Sequence, residues 1–248
     1  MTEIEILFQN DEILVIDKPA GLMVHEDGNA KVSTVTDWFL KQVPEARGVG
    51  EPQTGLRGER FERSGIVHRL DTDTSGVLVL AKTQEAFTYL KQQFHDRLVK
   101  KEYRAFVYGT IKEQWGTIER PIGRSARDFR LRSAERGAKG MLRDAVTNWE
   151  RLKAGTYKEE AFSELRLVPK TGRTHQLRTH LKAIAHPIVG DKLYAGMKLE
   201  QSNNLELSRL ALHAHTLELE LKTEGPKKFI APLPASFIEA SARIAPRM

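Results

Sequence analysis

Asp71 is the carboxylate that its surroundings best prepare for chemistry. It stands in the run Ile66-Val67-His68-Arg69-Leu70-Asp71-Thr72-Asp73-Thr74-Ser75-Gly76, directly before the apolar stretch Val77 to Ala81. A short continuous apolar run is the pattern of a strand buried on both faces. Small hydroxyl residues followed by glycine suit a tight turn, because hydroxyls bond local backbone groups and glycine accepts positive φ. The turn therefore presents a cation, Arg69, and a carboxylate, Asp71, from a rigid base. A carboxylate so placed can act as a nucleophile or as a general base. Arg-x-Asp taken alone also fits an ordinary loop with its charges in water.

The longer pattern is more specific. His68-Arg69-Leu70-Asp71-Thr72-Asp73-Thr74-Ser75-Gly76 resembles the HRLDxxTSG signature of the RluA-type RNA pseudouridine synthases, and Asp71 falls where that family has its catalytic carboxylate. A sister family carries GRLDxxTxG, and His68 and Ser75 favour the RluA type. Further segments match in family order. Asp17 to His25 resembles the opening DKPxGLxVH, which is read as a structural hairpin without chemistry. Lys101 to Gly109 resembles the strand KxYxAxVxG, in which Tyr103 would lie against the target base. Thr171 to Leu181 resembles TGRTHQxRxHL, and His186 to Tyr194 resembles HPIxGDxxY. By this resemblance Arg178 forms an ion pair with Asp71, and Arg69 fills the gap left when the base is flipped out. The resemblance runs from about residue 4 to residue 240. It implies one catalytic domain over 1–248, without the small N-terminal RNA-binding module that many relatives carry.

These residues need elements to position them. Ile4 to Phe8 and Ile13 to Asp17 read as strands joined at Asn10 and Asp11. Thr34 can cap a short helix to Val43, which Pro44 stops. Residues 45–63 form a long Gly/Arg/Glu-rich connection with no evident chemistry. Thr83 can cap a helix to Arg97 with Phe87, Leu90, Phe94 and Leu98 as its buried stripe. A strand over 101–108 puts Tyr103, Ala105 and Val107 on one face. Trp115 to Gly123 reads as one strand bent at Pro121. Ala145 to Leu152 and Ala161 to Val168 read as antiparallel strands with Gly155 in their connection. Gly172 breaks the strand before it, and Thr174 can cap a helix that Pro187 ends. That helix has Leu177, Leu181 and Ile184 on an apolar stripe, with His175, Arg178 and Lys182 on a cationic face. Arg209 to His215 is a further strand, and Ser236 to Ile244 a terminal helix. The fold expected is α/β (α+β). By resemblance it has a long mixed, mostly antiparallel sheet in two halves flanked by helices, with a central basic catalytic cleft holding Asp71.

Composition bounds the partners. The chain has 248 residues, a net charge of +6 and no cysteine, so disulfides and thiolate metal sites are excluded. No apolar run approaches the ~18 residues that span a bilayer, and the acidic start lacks a signal-peptide core. A cytoplasmic monomer is expected. The basic excess is concentrated between Arg124 and Arg143, which alone carries +5. Arginine dominates there, and its fork suits phosphate. Arg127, Arg130 and Arg132, with Arg173 from the TGRTH segment, are the expected contacts to RNA phosphates.

The reaction implied is isomerisation of uridine to pseudouridine in a ribosomal or transfer RNA stem-loop. It breaks N1–C1′ and joins C5 to C1′, without redox change, hydrolysis, cofactor or metal. Buried in a stacked helix, the base must be flipped out. Two rival readings share the residues. One is an inert RNA-binding factor of the same fold, which the competent residues at 71, 103 and 178 disfavour. The other is a metal-dependent nuclease using Asp71, Asp73 and the His213/His215 pair. That pair shares a strand face, but no Cys or acidic ligand stands near it in sequence to complete a shell, and activity unchanged by a strong chelator would remove this reading.

Overall fold

A computed structural model describes residues 3–26, 33–54, 60–61, 63–126, 128, 131–135 and 137–246. Arg127 and Arg130, two of the expected phosphate contacts, lie outside these residues. The protein is a mixed α+β fold with a large, mostly antiparallel sheet and few helices. Its chain forms two compact units, 1–100 with 214–232, and 101–213 with 233–248.

In chain order the described strands and helices are β1 (Glu5–Gln9), β2 (Ile13–Lys18), α1 (Val35–Gln42), β3 (Gln53–Thr54), β4 (Arg60–Phe61), β5 (Ser75–Ala81), α2 (Gln84–His95) and β6 (Lys100–Tyr108). Next come β7 (Trp115–Glu119), β8 (Ile122–Arg124), β9 (Arg132–Ser133), β10 (Lys139–Arg143), β11 (Val146–Tyr157), β12 (Glu160–Pro169), α3 (Gln176–Ala183), α4 (Met197–Gln201), β13 (Leu212–Leu221), β14 (Gly225–Ile230) and α5 (Ala235–Arg243).

In the first unit β1, β2 and β5 lie side by side, β13 is next to β5, and β14 pairs with β13. All seven residues of β5 are buried, as its unbroken apolar run requires. Ile13, Val15, Val77 and Val79 pack with Phe87 and Leu90 of α2 and with Leu217 and Phe229. Gly76 is needed at the start of β5: its φ is +117°, and a Cβ there would stand 2.1 Å from the Ala214 carbonyl oxygen. Thr34 caps α1 in a capping box with Asp37, and Thr83 accepts from the Ala86 N–H at the start of α2. The expected stripe of α2 fails at its end. The helix stops at His95, Arg97 turns to φ 62°, and Leu98 is exposed.

In the second unit the order is β6-β12-β11-β7, all antiparallel. Phe106, Phe162, Leu165, Leu177, Leu181 and Phe237 centre its core. The single strand expected over Trp115 to Gly123 is two strands in different sheets, parted at Pro121, which has no N–H to give a ladder. Gly155 lies inside β11 and not in its connection. A Cβ there would fall 1.8 Å from the Ala245 carbonyl oxygen, so glycine admits a close backbone approach. The turn itself is made by Lys158 and Glu159, both at positive φ. The basic segment, interrupted by Gly137 and Gly140, folds into a three-stranded sheet in the order β10-β8-β9.

Candidate active site

The turn that carries Asp71 is held from below by a buried ammonium. Lys18, the last residue of β2, is fully buried. Its Nζ donates to the carbonyls of Pro19 (2.8 Å), Leu22 (2.8 Å) and Thr72 (3.0 Å). Burying a charged group is costly unless its hydrogen-bonding capacity is met, and three carbonyls meet the three ammonium protons. The Thr72 carbonyl also accepts from the Gly21 N–H at 2.9 Å. The segment after β2 and the residue next to Asp71 are thus tied together. Asp71 closes the turn on its other side, its carbonyl accepting from the Thr74 N–H at 3.1 Å. Leu70, Thr74 and Ser75 are buried around it, and Asp71 is half-buried. The DKPAGL segment therefore has a positioning role that a plain hairpin does not require. Only its place in the DKPxGLxVH segment marked this lysine in the sequence.

His68 and Arg69 point to different duties. His68 stacks on Phe94 with ring centroids 4.5 Å apart and its Nε2 accepts from the Val79 N–H at 3.1 Å. It joins the turn to β5 and α2. Arg69 is exposed, and its Nη1 lies 3.4 Å from Nε2 of the buried His25. His25 donates through Nδ1 to the Glu26 carbonyl at 2.8 Å, so its Nε2 is the acceptor that steers Arg69. Arg63 stands close enough for the Arg69 charge to act on it. Its guanidinium is held below its ordinary range by burial and then by that like charge.

The second unit holds Tyr103 and Arg178. Tyr103 is half-buried on β6, paired in register with Leu167 and packed on the core. Lys101 shares its strand face, two residues earlier. Burial pushes the Lys101 ammonium below its usual range, and its Nζ lies 3.8 Å from where a Cβ on Gly172 would stand. This lysine opens the KxYxAxVxG segment and is half-buried, which nothing in its type or spacing marked.

Arg178 lies on α3 and is 4% exposed, so the cationic face expected there is not a solvent face. Its Nε and Nη2 donate to Oδ2 and Oδ1 of Asp191 at 2.8 and 2.7 Å, a two-point fork. Asp191 also accepts from the N–H groups of Leu193 (3.0 Å) and Tyr194 (3.2 Å). The Arg178 guanidinium carbon lies 5.1 Å from the Tyr194 ring centroid. The Tyr194 hydroxyl shares a 2.8 Å hydrogen bond with His175 Nδ1 and accepts from the Arg132 N–H at 3.0 Å. His175, and not Thr174, is the residue before the helix, in the left-handed region at φ 54°. The Thr179 hydroxyl and N–H both bond its carbonyl, which secures that strained residue. Asp191 and Tyr194, which contact Arg178, were not singled out from the sequence; only their place in the HPIxGDxxY segment marked them.

Arg173 is half-buried and donates through Nε to the Asp144 carbonyl at 3.1 Å. Arg132 is half-buried on β9. His213 is buried near Phe237, and His215 donates through Nδ1 to the Ala231 carbonyl at 2.8 Å. Among the described residues no three His, Asp or Glu side chains gather as a metal shell, and no helix is long and apolar enough to cross a membrane.

The sequence matches the RNA pseudouridylate synthase family over residues 12–183. The chain belongs to that family. Members are isomerases that make pseudouridine from uridine in RNA, and the HRLDTDTSG turn, with its buried lysine bolt, lies inside the matched region. Among curated relatives, the uncharacterized RNA pseudouridine synthase slr1629 of Synechocystis is 39% identical over 94% of this chain and 67% of its own length. Ribosomal large subunit pseudouridine synthase D of Pseudomonas aeruginosa is 38% identical over 95% of this chain and 70% of its own. Among solved structures, human RNA pseudouridylate synthase domain containing 1 superposes with a TM-score of 0.73 at 27% identity, covering 94% of this chain and 84% of that one. Human RNA pseudouridylate synthase domain containing 4 gives 0.70 at 26% identity, covering 96% and 92%.

Proposed function

We propose that this pseudouridine synthase isomerises specific uridines in structured ribosomal RNA, with Asp71 as the catalytic carboxylate. The observation that supports the reading is the HRLDTDTSG turn itself, in which Asp71 is half-buried on a backbone clamped by Lys18. Ionised Asp71 attacks the ribose or removes a sugar proton, the N1–C1′ bond breaks, and the uracil turns to present C5 to C1′. As C5 bonds to C1′ any bond from the carboxylate to the ribose breaks. The C5 proton then leaves to solvent and N1 takes up a proton, so the product is an isomer and no electrons are gained or lost. Tyr103 supplies a flat face for the detached base and a hydroxyl for proton transfer. Arg178 is the proposed cationic partner of the Asp71 carboxylate, and Asp191 holds its guanidinium plane. Arg69 enters the stack when the uridine flips out.

Arg173 and Arg132, with Arg127 and Arg130, take backbone phosphates. Synthase D relatives carry the ribosomal large subunit in their names, which favours ribosomal over transfer RNA. The enzyme works in this reading as a cytoplasmic monomer over one catalytic domain. The test is to map pseudouridine in total RNA from cells with and without the protein, and to restore the missing sites by adding purified enzyme. Loss and return of defined sites in large-subunit ribosomal RNA is expected. Sites lost only from transfer RNA would correct the substrate, and no lost site would favour the inert RNA-binding reading.

A further inference from the structure

The small sheet β10-β8-β9 places three cations in one row. Lys139 on β10 is directly opposite Arg124 on β8, and Arg124 is directly opposite Arg132 on β9. Residues directly opposite in antiparallel strands share a face, and like charges in that position destabilise the sheet. Lys139 and Arg124 are exposed and Arg132 is half-buried. Among the described residues none of the three side chains forms an ion pair. The row is therefore an arrangement that the fold alone disfavours. Two interstrand steps of ~4.8 Å make it roughly 10 Å long.

The sheet that carries the row is anchored. Ile122, Ala134 and Ala145 form a small buried cluster with Ala183 of α3 packed on it. The Arg132 N–H is fixed on the Tyr194 hydroxyl, the same tyrosine whose ring lies against Arg178.

We propose that the row Lys139–Arg124–Arg132 is a docking surface for the sugar–phosphate backbone of the RNA substrate. The proposal rests on the reading of the protein as an RNA-modifying enzyme. Successive phosphates relieve the repulsion between the three cations, so the row is most stable when RNA is bound. It differs from a general basic surface in being set by strand register: charge content does not single out Arg124 and Lys139, and only the pairing of β8 with its two neighbours brings them together.

The experiment uses the full chain with Lys139→Gln, Arg124→Gln and Arg132→Gln combined. A control combines Lys41→Gln, Lys112→Gln and Lys228→Gln, three exposed lysines elsewhere, to give the same change in net charge. RNA binding is titrated against salt, beside thermal melting and pseudouridine formation. The row variant is expected to lower the log–log salt slope by about 2–3, at ~0.7–0.9 for each phosphate that it no longer neutralises. Its Tm should stay level or rise, KM should rise, and kcat at saturating RNA should hold. The control should keep most of the slope.

An unchanged slope, or a fall no larger than the control's, overturns the proposal. A lower Tm with unchanged slope overturns it too and makes the row structural. If the triple variant does not fold, Lys139→Gln alone is read instead, with a fall in slope of about 0.7–0.9 expected and no fall overturning the proposal. Failure of the enzymatic reading shows separately, as wild-type protein that binds RNA with a row-dependent salt slope and forms no pseudouridine.

Discussion

Lys18→Met tests how the Asp71 turn is held. Methionine keeps the length and apolar stem of the side chain and removes only the ammonium. The Thr72 carbonyl keeps its bond from Gly21, whereas the Pro19 and Leu22 carbonyls have no other hydrogen-bond partner among the described residues. An orphaned acceptor costs about 1–3 kcal/mol when buried. Residues 19 and 22 are half-buried, so water recovers part of this and the low end applies, about 2–3 kcal/mol for the pair. In a chain of this length that corresponds to a fall in Tm of roughly 5–10 °C. The turn also loses its tie to residues 19–22, and a displacement near 1 Å at the reacting carboxylate is enough for about a hundredfold loss of kcat. The assay pairs a thermal melt with single-turnover pseudouridine formation. A variant that melts within about 1 °C of wild type and turns over at the wild-type rate would refute the clamp.

The buried pair of Arg178 and Asp191 should behave as a unit: Arg178→Met or Asp191→Leu alone should each destabilise by ~3–5 kcal/mol by stranding a charge. The double variant should recover most of that in urea unfolding, with turnover lost in all three; additive losses would show the two to be uncoupled. His180 gives a pH dependence. Its Nε2 donates to the Arg120 carbonyl and its Nδ1 accepts from the Thr147 hydroxyl, and burial holds its pKa below the ordinary value. The unfolded chain therefore binds the proton more readily, and stability present above the ordinary histidine value of about 6.5 is lost as pH falls from there towards the folded pKa. His180→Gln should flatten the fall in urea midpoint between pH 7 and pH 5; an equal fall in the variant would assign the slope to other groups.

Strands β1, β2, β5, β6, β11 and β12 were legible because their apolar patterns are regular, whereas β14 was not anticipated and the strand expected over Arg209 to His215 is β13, running from Leu212 to Leu221. Ile13 to Ile16 and Val77 to Ala81 could be little else, and Thr34 and Thr83 announce their helices by capping chemistry. The site was legible as motifs but not as mechanics. Lys18 is the kind of residue that usually faces water, so nothing in its type revealed that it lies fully buried on three carbonyls. Asp191 is thirteen residues from Arg178, across a helix end and a turn, a separation that no helical or strand period links. His175 replaced Thr174 at the head of α3 because tertiary bonds to Tyr194 hold a left-handed residue that local propensity disfavours. The strands of the basic segment are two to five residues long and broken by glycine, too short for alternation to show. Their register, and with it the cationic row, exists only in the folded sheet.

Asp71→Asn addresses the central claim most directly. The change is nearly isosteric, and the bonds that hold the turn, from the Gly21 and Thr74 N–H groups and the Lys18 ammonium to backbone carbonyls, do not involve the carboxylate. An amide serves neither as nucleophile nor as base, so both chemical routes close together. The measurement is release of tritium from C5 of labelled uridine in bulk RNA, beside an RNA titration at fixed salt. Wild-type protein should release it, and Asp71→Asn should release none while binding RNA within about tenfold of wild type, or ~1.4 kcal/mol. Release by Asp71→Asn at the wild-type rate would contradict the assignment of the catalytic carboxylate.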